Sequence, residues 1–421
     1  MSEVVAQKPR VRRSSSDATR FHMSTKAVDR SVEEYATWSE KKCVKHLAVI
    51  RWGSFEAMPC PHCNTCTEHY FYEKDLRWKC KHCGSKFSVT SQTVFSGRKL
   101  PYRKLLAAIH LWACGAAGQP ALELRRMLNL KSYNSAFTLV SKLREGLMRG
   151  FNTGLISGVV EMDGAHASGR RAAAKRGKPQ NYQTPDSVKS LEDQALLTTA
   201  ARQKKRREEK AALLAAGGRL DPNTGAVHEE TRRIVFTLRR RSGVKGQGAA
   251  LTRVAIGLAE TPDVAEAFVN SYVAVPESVL ATDTGTAFSK VGKRFQMHMQ
   301  VNHSETLSGP NGEHNNLAES LSARQDRSEK GVYLNIEPKY LHDYAVENGF
   351  REDNRRKAPG AQADLALHFA LNVGESHYWR GYTHGRHRKY EVLANGHKDY
   401  PSSGPAKGAI GWNKPSARLP R

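Results

Sequence analysis

The sequence predicts a multidomain α+β protein, and three observations carry that reading. Two Cys-x-x-Cys pairs lie in a short aromatic stretch between residues 60 and 83. Apolar residues at helical spacing fill 101–150, and short apolar runs ending in acids begin at Val159. The 421 residues, 39% of them hydrophobic, supply a sizeable core for about two to three domains. Lys+Arg number 66 against 41 Asp+Glu, and the resulting charge of +25 and pI near 9.8 imply a polyanionic partner. The longest apolar run, near residues 105–118, contains His110 and falls short of the ~20 residues of a membrane span, so no membrane partner is expected. Seven cysteines, an odd number, with no export signal argue against a disulfide framework and for a reducing, cytoplasmic compartment.

Residues 1–40 are polar and basic, with Lys8, Arg10, Arg12 and Arg13 beside Ser14 to Ser16, and are expected to form a disordered arm. Residues 41–98 hold the cysteine module. Cys60-Pro61-His62-Cys63 and Cys80-Lys81-His82-Cys83 are separated by 16 residues, a spacing that suits one structural zinc ion. Cys66 forms a rival pair with Cys63. The pair Cys60 and Cys63 is preferred because Asn64 and Gly84 follow the two turns and tolerate positive φ, whereas Thr67 does not. Free buried thiols or a redox pair are the alternatives. Tyr70, Phe71, Tyr72 and Trp78 read as arms of a ribbon too small to fold without metal, with Trp78 and Phe87 in its core. Aromatic and basic side chains here could also touch nucleic acid, and His62, His69 and His82 read as bystanders.

Residues 99–150 read as three helices. Leu105, Ala108, Ile109 and Trp112 stand at helical spacing, a short helix covers 119–128, and a third runs from Asn134 to about Gly146 after a polar turn. The pattern fits a helix-turn-helix, with Arg125, Arg126, Lys131, Lys142 and Arg144 as candidate DNA contacts. A plain helical bundle has the same pattern.

The third unit spans 155–358. Val159-Val160-Glu161-Met162-Asp163-Gly164 and Val279-Leu280-Ala281-Thr282-Asp283-Thr284-Gly285 read as buried strands, each closing on an aspartate with glycine within two residues. Carboxylates at strand ends with room for a ligand suit divalent ions; a turn residue is the alternative for either one. The runs 233–238 and 251–257 add strands, and an amphipathic helix follows Pro262. A third acid is expected from a helix beginning at Asn315-Asn316, where Glu319 follows Asp283 after 35 residues. Asn316 and Glu319 also have the offset of a capping box, the structural alternative. Glu305 and Glu313 lie in loop-like sequence. A basic insertion, 171–231, carries Lys204, Lys205, Arg206 and Arg207 and either contacts DNA or stays solvated. An extension, 359–421, mixes aromatics with His, Arg and Gly.

Taken in order, these motifs carry a resemblance. The cysteine module, the helical segment, Val160-Glu161-Met162-Asp163-Gly164, Thr282-Asp283, Val301-Asn302-His303-Ser304-Glu305, Asn316-Leu317-Ala318-Glu319-Ser320 and Phe350 to Arg356 resemble bacterial insertion-sequence transposases of the ISXO-like group. Those join an N-terminal zinc ribbon to a DDE catalytic domain, and the likeness covers about residues 41–358. It implies an RNase H-like core, a mixed five-stranded sheet flanked by helices, with Asp163, Asp283 and Glu319 as the triad holding two Mg²⁺ ions, or Mn²⁺. His303 and Asn316 would stand behind the acids, and one zinc ion would staple the ribbon. The implied activity is Mg-dependent hydrolysis of double-stranded DNA at the element ends, then joining of the 3′-OH to target DNA, by a homodimer or larger oligomer associated with the nucleoid. Seven residues after Glu319, where such proteins usually carry a base on the DNA, this chain has Asp326; Arg324 and Arg327 flank it. A degenerate transposase, a zinc-ribbon regulator without catalysis and a nuclease acting on RNA are the rival readings.

Overall fold

The computed structural model describes residues 21–168, 207–208, 211, 219–220, 227–228, 232–244, 248–301, 314–334 and 336–399. Helix α1, Val32–Thr37, opens with a capping box in which Ser31 and Glu34 each accept the other's backbone N–H. Its Tyr35, and Trp38 just beyond it, are buried. The fold therefore begins before residue 40, correcting the expected arm; the apolar face of α1 needs cover. Helix α2, Glu40–Trp52, runs from a Ser39 cap to Gly53 in the left-handed region at φ 79°.

The ribbon follows. Strands β1, Ala57–Pro59, and β2, Cys66–Glu68, pair antiparallel; β3, Tyr70–Tyr72, β4, Arg77–Lys79, and β5, Lys86–Phe87, form a second antiparallel sheet. Trp78 stacks on Phe87 with ring centroids 5.8 Å apart, and Trp52 of α2 meets Trp78 edge-on at 5.5 Å. The ribbon core thus continues into the helical core.

Helices α3, Tyr102–Cys114, α4, Ala121–Met127, and α5, Tyr133–Gly150, make up the helical segment. After it come strand β6, Ile156–Ser168, the short pair β7, Arg219–Leu220, and β8, Val227–His228, then β9, Arg232–Arg241, and β10, Ala249–Gly257. Helix α6, Pro262–Tyr272, leads into β11, Val273–Asp283, followed by α7, Thr286–Gly292, and β12, Met297–Val301. The main sheet has the order β10-β9-β6-β11-β12, with β9 antiparallel to both neighbours and β11 parallel to both of its own. It is a mixed five-stranded sheet. Phe268, Val269, Phe288 and Val291 of α6 and α7 cover one face. Helices α8, Asn316–Arg327, and α9, Pro338–Asp353, cover the other with the helical segment.

Helix α10, Pro359–Asn372, belongs to that core rather than to an appendage. It crosses α5 so closely that a Cβ on Gly146 would lie 2.5 Å from Ala370 Cα. The hairpin β13, Tyr390–Leu393, and β14, Gly396–Asp399, is tied to the sheet by two 2.7 Å bonds from Arg233 to Glu391 and by the Ala394 amide on the Ile256 carbonyl. Lys204, Lys205, Arg206 and His303 lie outside the described residues, and Arg207 is exposed. No helix among the described residues is long and apolar enough to cross a membrane.

Candidate active site and zinc cluster

Cys60 Sγ lies 3.8 Å from Cys83 Sγ, Cys63 Sγ lies 3.7 Å from Cys80 Sγ, and all four sulfurs lie within 4.8 Å of one another. A tetrahedron with ~2.3 Å bonds has edges of about 3.8 Å, so the set fits one zinc ion. Two like turns build it. The Asn64 amide donates to the Cys60 carbonyl and the Gly84 amide to the Cys80 carbonyl, with φ at 57° and 71°. Hydrogen bonding from Thr65 holds the Cys63 thiol down at about 5, which favours the thiolate a metal takes. Cys66 is exposed on β2 and stands apart.

Asp283 closes β11 as expected, but Asp163 does not close its strand: β6 continues past it to Ser168 because its far half pairs with β9. Parallel pairing between β11 and β6 runs as far as Ala281 and Glu161, and Asp283 and Asp163 each lie two residues beyond that last pair. Helix α8 lies against β6. Its Ser322 hydroxyl donates to Asp163 Oδ2 at 2.7 Å, and Glu319, three residues earlier, shares the helical face that carries Ser322. Asp163, Asp283 and Glu319 are all half-buried. The Gly285 amide donates to Asp283 Oδ1 at 3.0 Å; a Cβ on Gly285 would lie only 2.9 Å from that oxygen.

Two further acids stand beside them: Glu161, noted in the sequence only as part of a motif, and Glu260, not singled out there. Glu161 is fully buried two residues before Asp163, and its Oε2 accepts from the Leu317 and Ala318 amides at 2.7 and 3.3 Å. It caps α8 from another element, while Arg241 Nε at 2.7 Å and His314 Nδ1 at 3.1 Å engage its second oxygen. The N-cap residue is Asn315, buried and without a side-chain cap bond, so the helix starts on Glu161 rather than on a box between Asn316 and Glu319; Asn316 is exposed. Glu260, just before α6, places Oε1 2.9 Å from where a Gly164 Cβ would stand. Burial, then the Asp283 and Asp163 carboxylates, push its carboxyl up to about 7. The signals available were the period-2 repeat of Glu161 and Asp163 and the acid directly preceding Thr261-Pro262.

Such crowding of carboxylates is what a bound cation relieves, and the donor set suits Mg²⁺. Among the described residues only the cysteines bring three ligand atoms within 4.8 Å of one another.

The basic residues divide. Arg126 and Lys131 are exposed around the α4–α5 turn, where Arg125 donates to the Leu130 carbonyl at 3.3 Å and closes it. Lys142 is half-buried. Arg144 cannot meet DNA: it is fully buried, with Nε 2.5 Å from Glu347 Oε2 and its guanidinium 4.0 Å from the Tyr344 ring. The cause is the position of α5, whose Val140, Leu143 and Leu147 stripe includes Arg144 and packs against α9. Arg324 is exposed and pairs with Glu352 at 2.9 Å, Arg327 is exposed, and Asp326 pairs with Lys330 at 2.5 Å.

Residues 155–353 match the family model of the ISXO2-like transposase domain, which takes in β6 through α9 and all five acids. Residues 38–86 match that of the transposase zinc-ribbon domain and include the four cysteines. No curated protein and no solved structure matches the chain. The chain therefore belongs to the ISXO2-like transposases, with zinc ribbon and DDE domain in one polypeptide.

Proposed function

We propose that this insertion-sequence transposase binds the ends of its element, hydrolyses DNA there, and joins the freed 3′-OH to double-stranded target DNA at the same site. The observation that carries the reading is the parallel pairing of Ala281 with Glu161, two residues before Asp283 and Asp163, with Asp163 bonded to Ser322 on the helix that bears Glu319. Asp163, Asp283 and Glu319 would hold two Mg²⁺ ions. Such ions supply activation of the attacking oxygen and neutralise charge in the phosphorane-like transition state. The chain's own work is orientation. Ser322 fixes the Asp163 carboxylate, the Gly285 amide fixes Asp283, and Glu161 pins the first turn of α8 to β6. Glu260 adds a fourth carboxylate against Gly164 of β6. The ribbon and the exposed α4–α5 turn read the DNA ends, and joining two ends calls for at least a dimer on DNA.

A second reading, an end-binding protein without catalysis, draws on Asp326, which faces Lys330 where a DNA-contacting base is usual in similar transposases. Mg²⁺-dependent cleavage of a labelled duplex carrying the DNA that flanks the gene separates the two. Cutting by wild type and not by Glu319→Gln supports the proposal. Binding without cutting supports the second reading, and equal cutting by both proteins removes Glu319 from the site.

A further inference from the structure

We infer that the outer face of the three-stranded ribbon sheet is a docking surface for the backbone of double-stranded DNA, formed by Tyr70, Tyr72, Arg77, Lys79 and Lys86. The inference rests on the reading of the protein as a DNA transposase and names one surface that meets the DNA.

Strand alternation sets the face. Phe71, Trp78 and Phe87 turn inward and pack, so their neighbours Tyr70, Tyr72, Arg77, Lys79 and Lys86 turn outward, and all five are exposed. Register then arranges them in two rows. Tyr70 stands opposite Lys79 and Lys79 opposite Lys86; Tyr72 stands opposite Arg77. A solvated sheet face ordinarily alternates charge, because like charges directly opposite each other repel. Here Lys79 and Lys86 are direct partners, and no acid stands on the face. The acids nearby are engaged or off the edge: Glu73 with Lys41 at 2.8 Å, Glu68 with Lys81 at 3.8 Å, and Asp75 in the β3–β4 turn. Among the described residues Arg77, Lys79 and Lys86 make no ion pair. A polyanion offsets that repulsion.

Tyrosines left 59% and 42% exposed add flat surface and phenol donors to the cations. Lys86 Nζ lies 5.3 Å from the Tyr72 ring and Lys81 Nζ 5.3 Å from the Tyr70 ring, which gathers the ammonium groups over the sheet. Arg77 and Lys86 also wall, with Arg98, an adjoining hollow of about 310 Å³ whose lining includes Ser88, Thr90 and Ser91 and the acids Glu40 and Asp75. Three strands at about 4.8 Å spacing make the face ~10 Å across, within the ~12 Å of a B-DNA major groove.

The test is the salt dependence of binding, with full-length zinc-loaded protein and a fluorescent duplex carrying the gene's flanking DNA. Neutralising three phosphate contacts in the combined variant Arg77→Gln, Lys79→Gln, Lys86→Gln should flatten the slope of log K against log salt by about 2.7, and Lys86→Gln alone by about 0.9. Zinc content verifies the folded ribbon, and the single variant stands if the triple does not fold. Lys290→Gln, which removes a cation already paired with Asp263 and Glu266, should leave the slope unchanged. Wild type that cuts the duplex, with an unchanged slope in the ribbon variants, overturns the face and leaves the transposase reading intact. Wild type that neither binds nor cuts it overturns both. A slope lost only with a single-stranded oligonucleotide of the same sequence overturns the duplex assignment.

Discussion

Replacing Glu161 with glutamine tests how the active site is assembled. The wild-type carboxylate accepts from the Leu317 and Ala318 amides and from Arg241 Nε, at 2.7, 3.3 and 2.7 Å. Bonds to a charged group contribute about 1.5–3 kcal/mol each. Glutamine keeps one acceptor oxygen, so it can serve either the helix or Arg241, and its NH₂ then faces donors on the other side. Losing one to two such bonds, with Arg241 partly solvated, costs about 2–4 kcal/mol. The first turn of α8 loosens, Glu319 moves with it, and a shift of about 1 Å in a metal ligand costs roughly 10²-fold in rate. Urea unfolding of the zinc-loaded protein reads the first effect and Mg²⁺-dependent DNA cleavage the second, with duplex affinity as a control that should not change. Wild-type stability together with a wild-type cleavage rate would refute the claim that Glu161 anchors the helix.

Further outcomes follow from other contacts. Glu347→Gln strands the buried Arg144 and should destabilise by about 3–5 kcal/mol, whereas the double change Arg144→Met, Glu347→Leu should cost far less in a thermal melt. Burial alone would raise the Glu347 carboxyl, but Arg144 and Arg351 hold it below its ordinary value. Its stabilisation is therefore full above about pH 4.5 and lost as pH falls through the lowered value, and Glu347→Gln should flatten that acid limb. Gly146→Ala drives a Cβ into the Ala370 backbone and should lower stability by about 1–3 kcal/mol, despite alanine's better helix propensity. Stripping zinc with a chelator should unstack Trp52, Trp78 and Phe87, visible as a change in tryptophan fluorescence, and abolish duplex binding. Glu260→Gln relieves crowding against Asp283 and Asp163, so the metal-free protein should melt higher while the Mg²⁺ needed for half-maximal cleavage rises several-fold.

Local chemistry was legible from residues alone. Two thiolate pairs with turn-tolerant Asn64 and Gly84 need only nearest-neighbour reasoning, and the apolar runs before Asp163 and Asp283 announce strands, although β6 runs on past Asp163 to Ser168. What needed the folded chain was register. Nothing local says that Ala281 pairs with Glu161, so neither that pairing two residues before the aspartates nor the capping of α8 by a residue 156 positions away could be read. Arg144 was misassigned for a similar reason. Its place on the Val140, Leu143 and Leu147 stripe was a sign of burial, but the partner that makes burial tolerable lies 203 residues on. The Ser31 and Glu34 capping box, with Tyr35 and Trp38 three apart, was visible and outweighs the basic composition before it. Glu260 belongs to no motif and enters the site only because the chain beyond β10 brings it against Gly164 of β6.

The most direct measurement supplies a duplex already cut at the element end, bearing a free 3′-OH, and follows its Mg²⁺-dependent joining to target DNA by wild type and Asp163→Asn. One site performing both reactions predicts that the variant loses joining of this pre-cut end as completely as it loses hydrolysis of the uncut one. Joining retained by Asp163→Asn would contradict the account.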